Sequence, residues 1–261
     1  MFEVARYESE RRALGAVAIA VGLSLLTGMV LAIAPQILSE VDLSELAQAY
    51  PESLKNAFGI EAIGTFEGFL ATELYQFAWV ILLGLYFAYA TGSVIAGDIE
   101  RERMDMLLST PVSRTKVVVE KFLSVVPSIL LINFVVFVVV YVGSVLIDEP
   151  LTFMDILAVH ALSVPYLMAC AAIGLVFSVL FSRESTAQRA GIGTVFALFM
   201  VETLVTDTDY EWVGLLSPTH YYDPTEILVH SDYNLMGAGI LLEVAALLVV
   251  VSLLWFRRRD I

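Results

Sequence analysis

Lysine and cysteine are almost missing from this chain of 261 residues: there are three lysines, Lys55, Lys116 and Lys121, and one cysteine, Cys170. A lone cysteine excludes an intrachain disulfide, and Cys170 lies in an apolar run with no evident base near it in sequence. A phosphate-binding loop needs the frame GxxxxGK[ST], whose glycines let backbone N–H groups reach the phosphates and whose lysine binds them. None of the three lysines stands in that frame, so the chain cannot hydrolyse ATP by that route. The HExxH zinc motif and the GxSxG nucleophile elbow are also absent. Basic residues are scarce altogether, 14 Lys and Arg against 28 Asp and Glu, for a net charge of −14. That balance repels a polyanion and argues against nucleic acid as a partner.

What the chain has in excess is apolar residues, 59% of the sequence, where a soluble domain carries about 45–50%. The excess falls in six runs, 14–34, 77–96, 122–147, 157–181, 190–206 and 237–256. Most approach the roughly 20 residues needed to cross a bilayer core; 190–206 is the shortest. Thirteen of the 14 basic residues lie in four short stretches, 1–12, 97–121, 182–190 and 257–261, and the other, Lys55, lies between the first two runs. Basic residues gather on the cytoplasmic side of membrane proteins. The predicted fold is therefore all-α and polytopic: six transmembrane helices forming one membrane domain over 1–261, with both termini cytoplasmic. Sixteen acidic residues fall in the outer loops, ten on the inner side, and Glu202 and Glu243 within spans. Acidic outer loops suit a high-salt, halophilic habitat, in which carboxylates hold hydration. The first run lacks a small-residue cleavage site and reads as a span rather than a signal peptide.

Along the chain, residues 2–12 read as an interfacial lead into span one or as a charged terminus, and span one is expected to end near Pro35. In the first outer loop, 42–57 reads as a helix broken at Pro51. Phe66, Leu70, Leu74 and Phe77 form the apolar stripe of a second helix, expected to lie on the outer membrane surface. Gly84, Ala88, Gly92 and Ala96 put four small residues on one face of span two, where another helix can approach closely; packing within the subunit is the simpler reading and a subunit interface the alternative. Pro165 should kink span four. Asn133 and His160 read as interhelical hydrogen-bond partners. Asn133 and Glu243 are also the polar groups a translocation path would use, since a carboxylate in hydrocarbon usually faces an interior or a wet cavity. Glu202 is expected to reach the outer interface. His220, Asp223, Glu226 and His230 cluster in the last outer segment, but Pro224 is expected to interrupt the helix that would align them, so no metal site is expected.

The inner linker 97–121 reads GDIERERMDMLLSTPVSRTKVVVEK. Asp98 can cap a helix start, Met104, Leu107 and Leu108 share one face, and Arg101 and Asp105 are four apart and can pair. Pro111 stops the helix, and Ser113 can cap the next one, which runs into span three. The result is a short amphipathic helix held between two spans, needing headgroups or a protein to dock on.

This linker resembles the coupling region of ATP-binding-cassette (ABC) transporter permeases of the type 2, export-associated class. The family pattern is an acidic residue, a short helix containing Gly-Thr-Leu, Leu-Leu-Ser, Pro-Val-x-Arg, and a later lysine. Here stand Glu100, Leu107-Leu108-Ser109, Pro111-Val112-Ser113-Arg114 and Lys121, with Glu102 and Arg103 in place of the Gly-Thr step. The amphipathic N-terminus, the six spans, Tyr50-Pro51-Glu52 in a long first outer loop and the terminal Arg258-Arg259-Asp260 extend the resemblance over nearly the whole chain. It implies the permease subunit of an ATP-driven exporter. It also implies a separate P-loop ATPase subunit that binds ATP and Mg and is contacted through Asp98, Glu100, Arg101, Met104, Leu107, Leu108, Pro111 and Arg114. A second permease subunit, identical or related, would complete the pathway; this chain needs no cofactor of its own. The residues alone leave open a non-transporting membrane scaffold or assembly factor and, further off, an intramembrane enzyme.

Overall fold

A computed structural model describes residues 3–51, 54–55, 60–109, 112–206 and 208–259. Among them no strand occurs, and six helices are long and apolar enough to cross a membrane. Span one is the helix Glu3–Glu40. Span two covers Phe66–Glu100, span three Arg114–Leu146, span four Phe153–Leu180, span five Glu184–Val205 and span six Leu235–Arg258. Each helix begins before the apolar run that announces it, because helical hydrogen bonding continues into the polar zones while hydropathy marks only the lipid-matched part. Span one runs through Pro35 for five more residues, although the proline has no N–H to offer the Leu31 carbonyl and one backbone bond is missing there. The N-terminal charged stretch is part of the same helix.

The segment between spans one and two differs from expectation. Among the described residues of 42–57, the helix Leu43–Gln48 and one helical step at 54–55 appear, in place of one long helix. The stripe Phe66, Leu70 and Leu74 is buried, while Phe77 is half exposed. This segment is the first part of span two, continuous with the rest of it, and not a separate helix. Over Ala71–Leu83 the bonding widens to a π-helix before returning to α-helix at Gly84–Gly92. A π-turn bonds i to i+5, which rotates Phe77 off the buried face. Tyr166 Oη donates to Val80 O at 2.7 Å inside this stretch, and a Cβ on Gly84 would meet that hydroxyl at 2.6 Å.

Span four is the hub, packed on spans two, three, five and six. It runs through Pro165 as one helix. Small residues bring spans two and four together: a Cβ on Gly174 would stand 2.1 Å from the Ala88 carbonyl oxygen, and Thr91 Oγ1 donates to Ala171 O at 2.7 Å. Gly92 sits against the Gln188 backbone of span five, and Ala88 and Ala96 are fully buried. All four small residues of the stripe therefore contact this subunit's own interior.

A buried polar chain links spans two, three and four. Asn133 Oδ1 accepts from Trp79 Nε1 (3.1 Å) and Ser163 Oγ (2.8 Å) and faces His160 Nδ1 at 3.0 Å; Asn133 Nδ2 donates to Ile129 O. With Nδ1–H donating, His160 Nε2 accepts from Tyr75 Oη, also at 3.0 Å. Asn133 and His160 are thus interhelical partners. Glu243 lies on the exposed face of span six beside Leu242, Val244 and Leu247, so it does not face its own bundle's interior.

Candidate functional site

Most of the basic residues meet at one end of the bundle, and the linker between spans two and three is at its centre. It forms two short helices, Ala96–Glu100 and Arg103–Leu108, then Arg114–Leu123 leading into span three. Ser178 of span four accepts from the backbone N–H groups of Ile95 and Ala96, satisfying two donors orphaned at a helix start. Asp98 sits inside the first helix and does not cap it. Ser113 does cap the third, accepting from Lys116 N at 3.2 Å. Between the first two helices Glu102 has φ 55 and ψ 20, the left-handed region that favours glycine. That is the position where the type 2 permease pattern carries its glycine.

Lys121, like Glu120, is a fully buried charge of the site, 2% exposed. Its Nζ lies 2.7 Å from Glu8 Oε1 of span one and 2.6 Å from Asp98 Oδ2 of the linker, and Asp98 Oδ1 pairs with Arg103 at 3.0 Å. Glu120 accepts from the Val4 and Ala5 N–H groups at 2.9 and 3.2 Å, so its carboxylate sits at the positive start of span one. On the other side Glu100 Oε2 accepts from Glu184 N at 2.7 Å, doing the same for span five, and Arg101 pairs with the Glu184 side chain rather than with Asp105. Arg114 donates to the carbonyls of Phe256 (3.1 Å) and Arg259 and stands over the Phe256 ring at 5.7 Å. Arg259 in turn donates to Val179 O and Ser182 Oγ, each at 2.5 Å. Partial burial lowers the Arg259 guanidinium from its ordinary value, and it stays charged.

These contacts tie all six spans to the linker. They also sort the predicted site residues. Met104 is fully buried, and Leu107 and Leu108 are half-buried against the core, so the apolar face turns inward. The outward face is Glu102, Asp105, Ser109 and Met106, the last 65% exposed. Asp98 reaches span three through Lys121, Glu100 and Arg101 reach span five, and Arg114 reaches span six. Pro111 lies outside the described residues, as do Glu52 and Asp260 of the extended pattern. A groove of about 320 Å³ runs between the N-terminal helix (Tyr7, Glu8, Arg11) and the linker (Asp98, Arg103, Leu107).

Glu8, Glu120, Ser178 and Glu184 escaped sequence reasoning. A signal existed for the first. Lys121 shares the apolar face of its helix with Val117 and Val118, and a charge there demands a buried partner.

At the opposite, acidic end, residues 208–234 fold back over spans two, four and five. Pro224 opens the helix Pro224–His230 instead of interrupting one, and Asp223 caps it through Thr225 N and Glu226 N. Tyr222 Oη donates to Val159 O at 2.9 Å, and burial pushes its phenol well up, so it remains a neutral donor. Tyr233 Oη donates to Asp155 Oδ1 at 2.5 Å. Among the described residues no group of three or more His, Cys, Asp and Glu side chains stands placed to hold a metal ion.

Comparison with known proteins gives one family: the model described as ABC-2 family transporter protein matches residues 40–261. No curated protein matches the chain.

Proposed function

The chain belongs to the ABC-2 family of transporter proteins, a multi-pass membrane permease of an ABC transporter, and from that premise we propose how it is driven. The end that gathers the basic residues faces the cytoplasm, and a separate P-loop ATPase subunit, which holds ATP and Mg, docks on the outward face of Arg103–Leu108. The observation that carries this reading is the convergence of six spans on residues 98–121. A push on the linker passes through Lys121 to spans one and three, through Glu100 and Arg101 to span five, and through Arg114 to span six. Movement of spans two and three alone would break these bonds, so the bundle shifts as a connected unit.

The pathway is completed by a second permease subunit, identical or related, because the exposed face of span six leaves Glu243 outside its own bundle. Glu243 takes part in a pathway only where that second subunit covers it. Asn133 remains a candidate at the head of the internal polar chain. The direction, export, follows the resemblance of the linker to the type 2 exporters.

The test uses the chain's own scarcity. Cys170 is fully buried, so Met106→Cys adds one reactive thiol to a silent background. With a short bifunctional reagent it should cross-link to the ATPase subunit, more strongly when ATP is bound. A thiol that labels freely but never cross-links to an ATPase contradicts the docking.

A further inference from the structure

The groove of about 320 Å³ between the N-terminal helix and the linker has positive charge to spare. Its carboxylates are already engaged. Glu8 meets Lys121 at 2.7 Å, and Asp98 meets Lys121 at 2.6 Å and Arg103 at 3.0 Å. Arg103 commits one terminal nitrogen, Nη2, to that pair; the other, Nη1, has no partner among the described residues and is not enclosed. Arg11 lines the same groove, is exposed, and makes no hydrogen bond or ion pair among the described residues. Its neighbour Arg12 turns away, toward the Ala90 carbonyl of span two at 3.4 Å. Arg11, Arg103 and Lys121 thus face Glu8 and Asp98 across the groove, and the unmatched charge is Arg11.

The groove also opens at headgroup depth. Arg11 precedes the apolar run 14–34 by three residues, a rise of about 4.5 Å along a helix. The headgroup layer on each side of a bilayer is roughly 5–8 Å deep, so Arg11 stands within it. Beyond Arg11 the same side of span one carries Leu14, Ala18, Val21 and Leu25, all exposed. The cationic groove therefore continues into an apolar strip that faces the hydrocarbon. Val4 and Leu107 give the groove itself apolar walls.

We propose that this groove binds the headgroup of an anionic phospholipid, one per chain. Arg11 and Nη1 of Arg103 donate to the phosphate oxygens, a pairing that suits the guanidinium group. An acyl chain lies along Leu14, Ala18 and Val21. The surplus positive charge favours a lipid of net negative charge over a zwitterionic one, as in other basic pockets between spans. A free phosphate ester would meet the same two arginines but leave the apolar strip unused, so the lipid is the better fit. The inference needs only the membrane reading. It does not rest on the coupling scheme, since lipid binding requires neither ATP nor a partner subunit.

The experiment is native mass spectrometry of the purified full chain, stripped of co-purified lipid in detergent and titrated with dioleoylphosphatidylglycerol. Expected is saturable binding of one lipid per chain, with dioleoylphosphatidylcholine about fivefold weaker or more. Glycerol 3-phosphate in excess, the free phosphate ester, should not displace the lipid. Arg11→Gln should weaken phosphatidylglycerol binding by about tenfold, and it removes no contact that holds the fold. Arg103→Lys, which keeps a cation opposite Asp98 but loses the second terminal nitrogen, should weaken it by about threefold. Arg6→Gln, on the same helix but paired with Glu10, should leave it unchanged. Equal binding of the two lipids, displacement by glycerol 3-phosphate, unchanged affinity in Arg11→Gln, or an equal loss in Arg6→Gln, which would mean only general attraction to a basic surface, overturns the proposal.

Discussion

Burying a lysine costs several kcal/mol unless a carboxylate meets it, and Lys121 is met by both Glu8 and Asp98. Removing the lysine leaves two carboxylates facing each other in a dry place. Lys121→Met should therefore destabilise the protein by about 3–5 kcal/mol, read as a lowered midpoint of thermal unfolding in detergent; an unchanged midpoint would mean the three groups are not coupled. Glu102 works in the other direction. Its left-handed backbone costs a side-chain-bearing residue about 1–2 kcal/mol, so Glu102→Gly should stabilise by about 1 kcal/mol, seen as a raised midpoint, and the exposed side chain gives up no partner that fixes the fold. At this scale the sequence was half readable. The departure from the family pattern at Glu102 was visible, but its meaning, a strained linker, needed the backbone angle.

Elements were legible where a single physical cause made them. Six apolar runs of roughly membrane length had to become six spans, and Ser113 ahead of Arg114–Leu123 had to cap a helix. Two helices were misplaced for reasons that periodicity does not carry. The stripe Phe66, Leu70 and Leu74 signals a buried helix face, but not whether that face meets lipid headgroups or the bundle. Nor does it reveal that bonding widens at Ala71–Leu83 and turns Phe77 out. Pro224 breaks a helix in its interior and starts one at its first turn, and only the capping by Asp223 decides between them. The packing of elements makes a sharp prediction at Gly174. A Cβ there would fall 2.1 Å from the Ala88 carbonyl oxygen, against backbone that cannot swing aside. Gly174→Ala should part spans two and four and cost about 1–3 kcal/mol, measured as lost folded yield and a lower unfolding midpoint. Gly22→Ala, with nothing within 4 Å of the added carbon, should behave as the parent protein.

For the whole molecule, charge divides the chain into two ends. The basic end is knitted from residues more than 70 apart in sequence: Glu8 with Lys121, Glu100 with Glu184, Arg114 with Arg259. The linker motif made this region readable as a candidate, while its partners were hidden by distance along the chain. The acidic end carries no local site pattern in the sequence, because the cavity around Glu202 arises from the fold-back of 208–234. The central claim is that this permease is moved by a separate ATPase through its linker. Affinity purification from native cells in mild detergent at high salt, with mass spectrometry of stoichiometric partners, tests it most directly when run on the parent chain and on Met106→Asp. The account predicts a co-purifying P-loop ATPase that is lost from Met106→Asp while the variant stays folded. An intact parent chain recovered without any ATPase would contradict it and return the weight to a membrane scaffold.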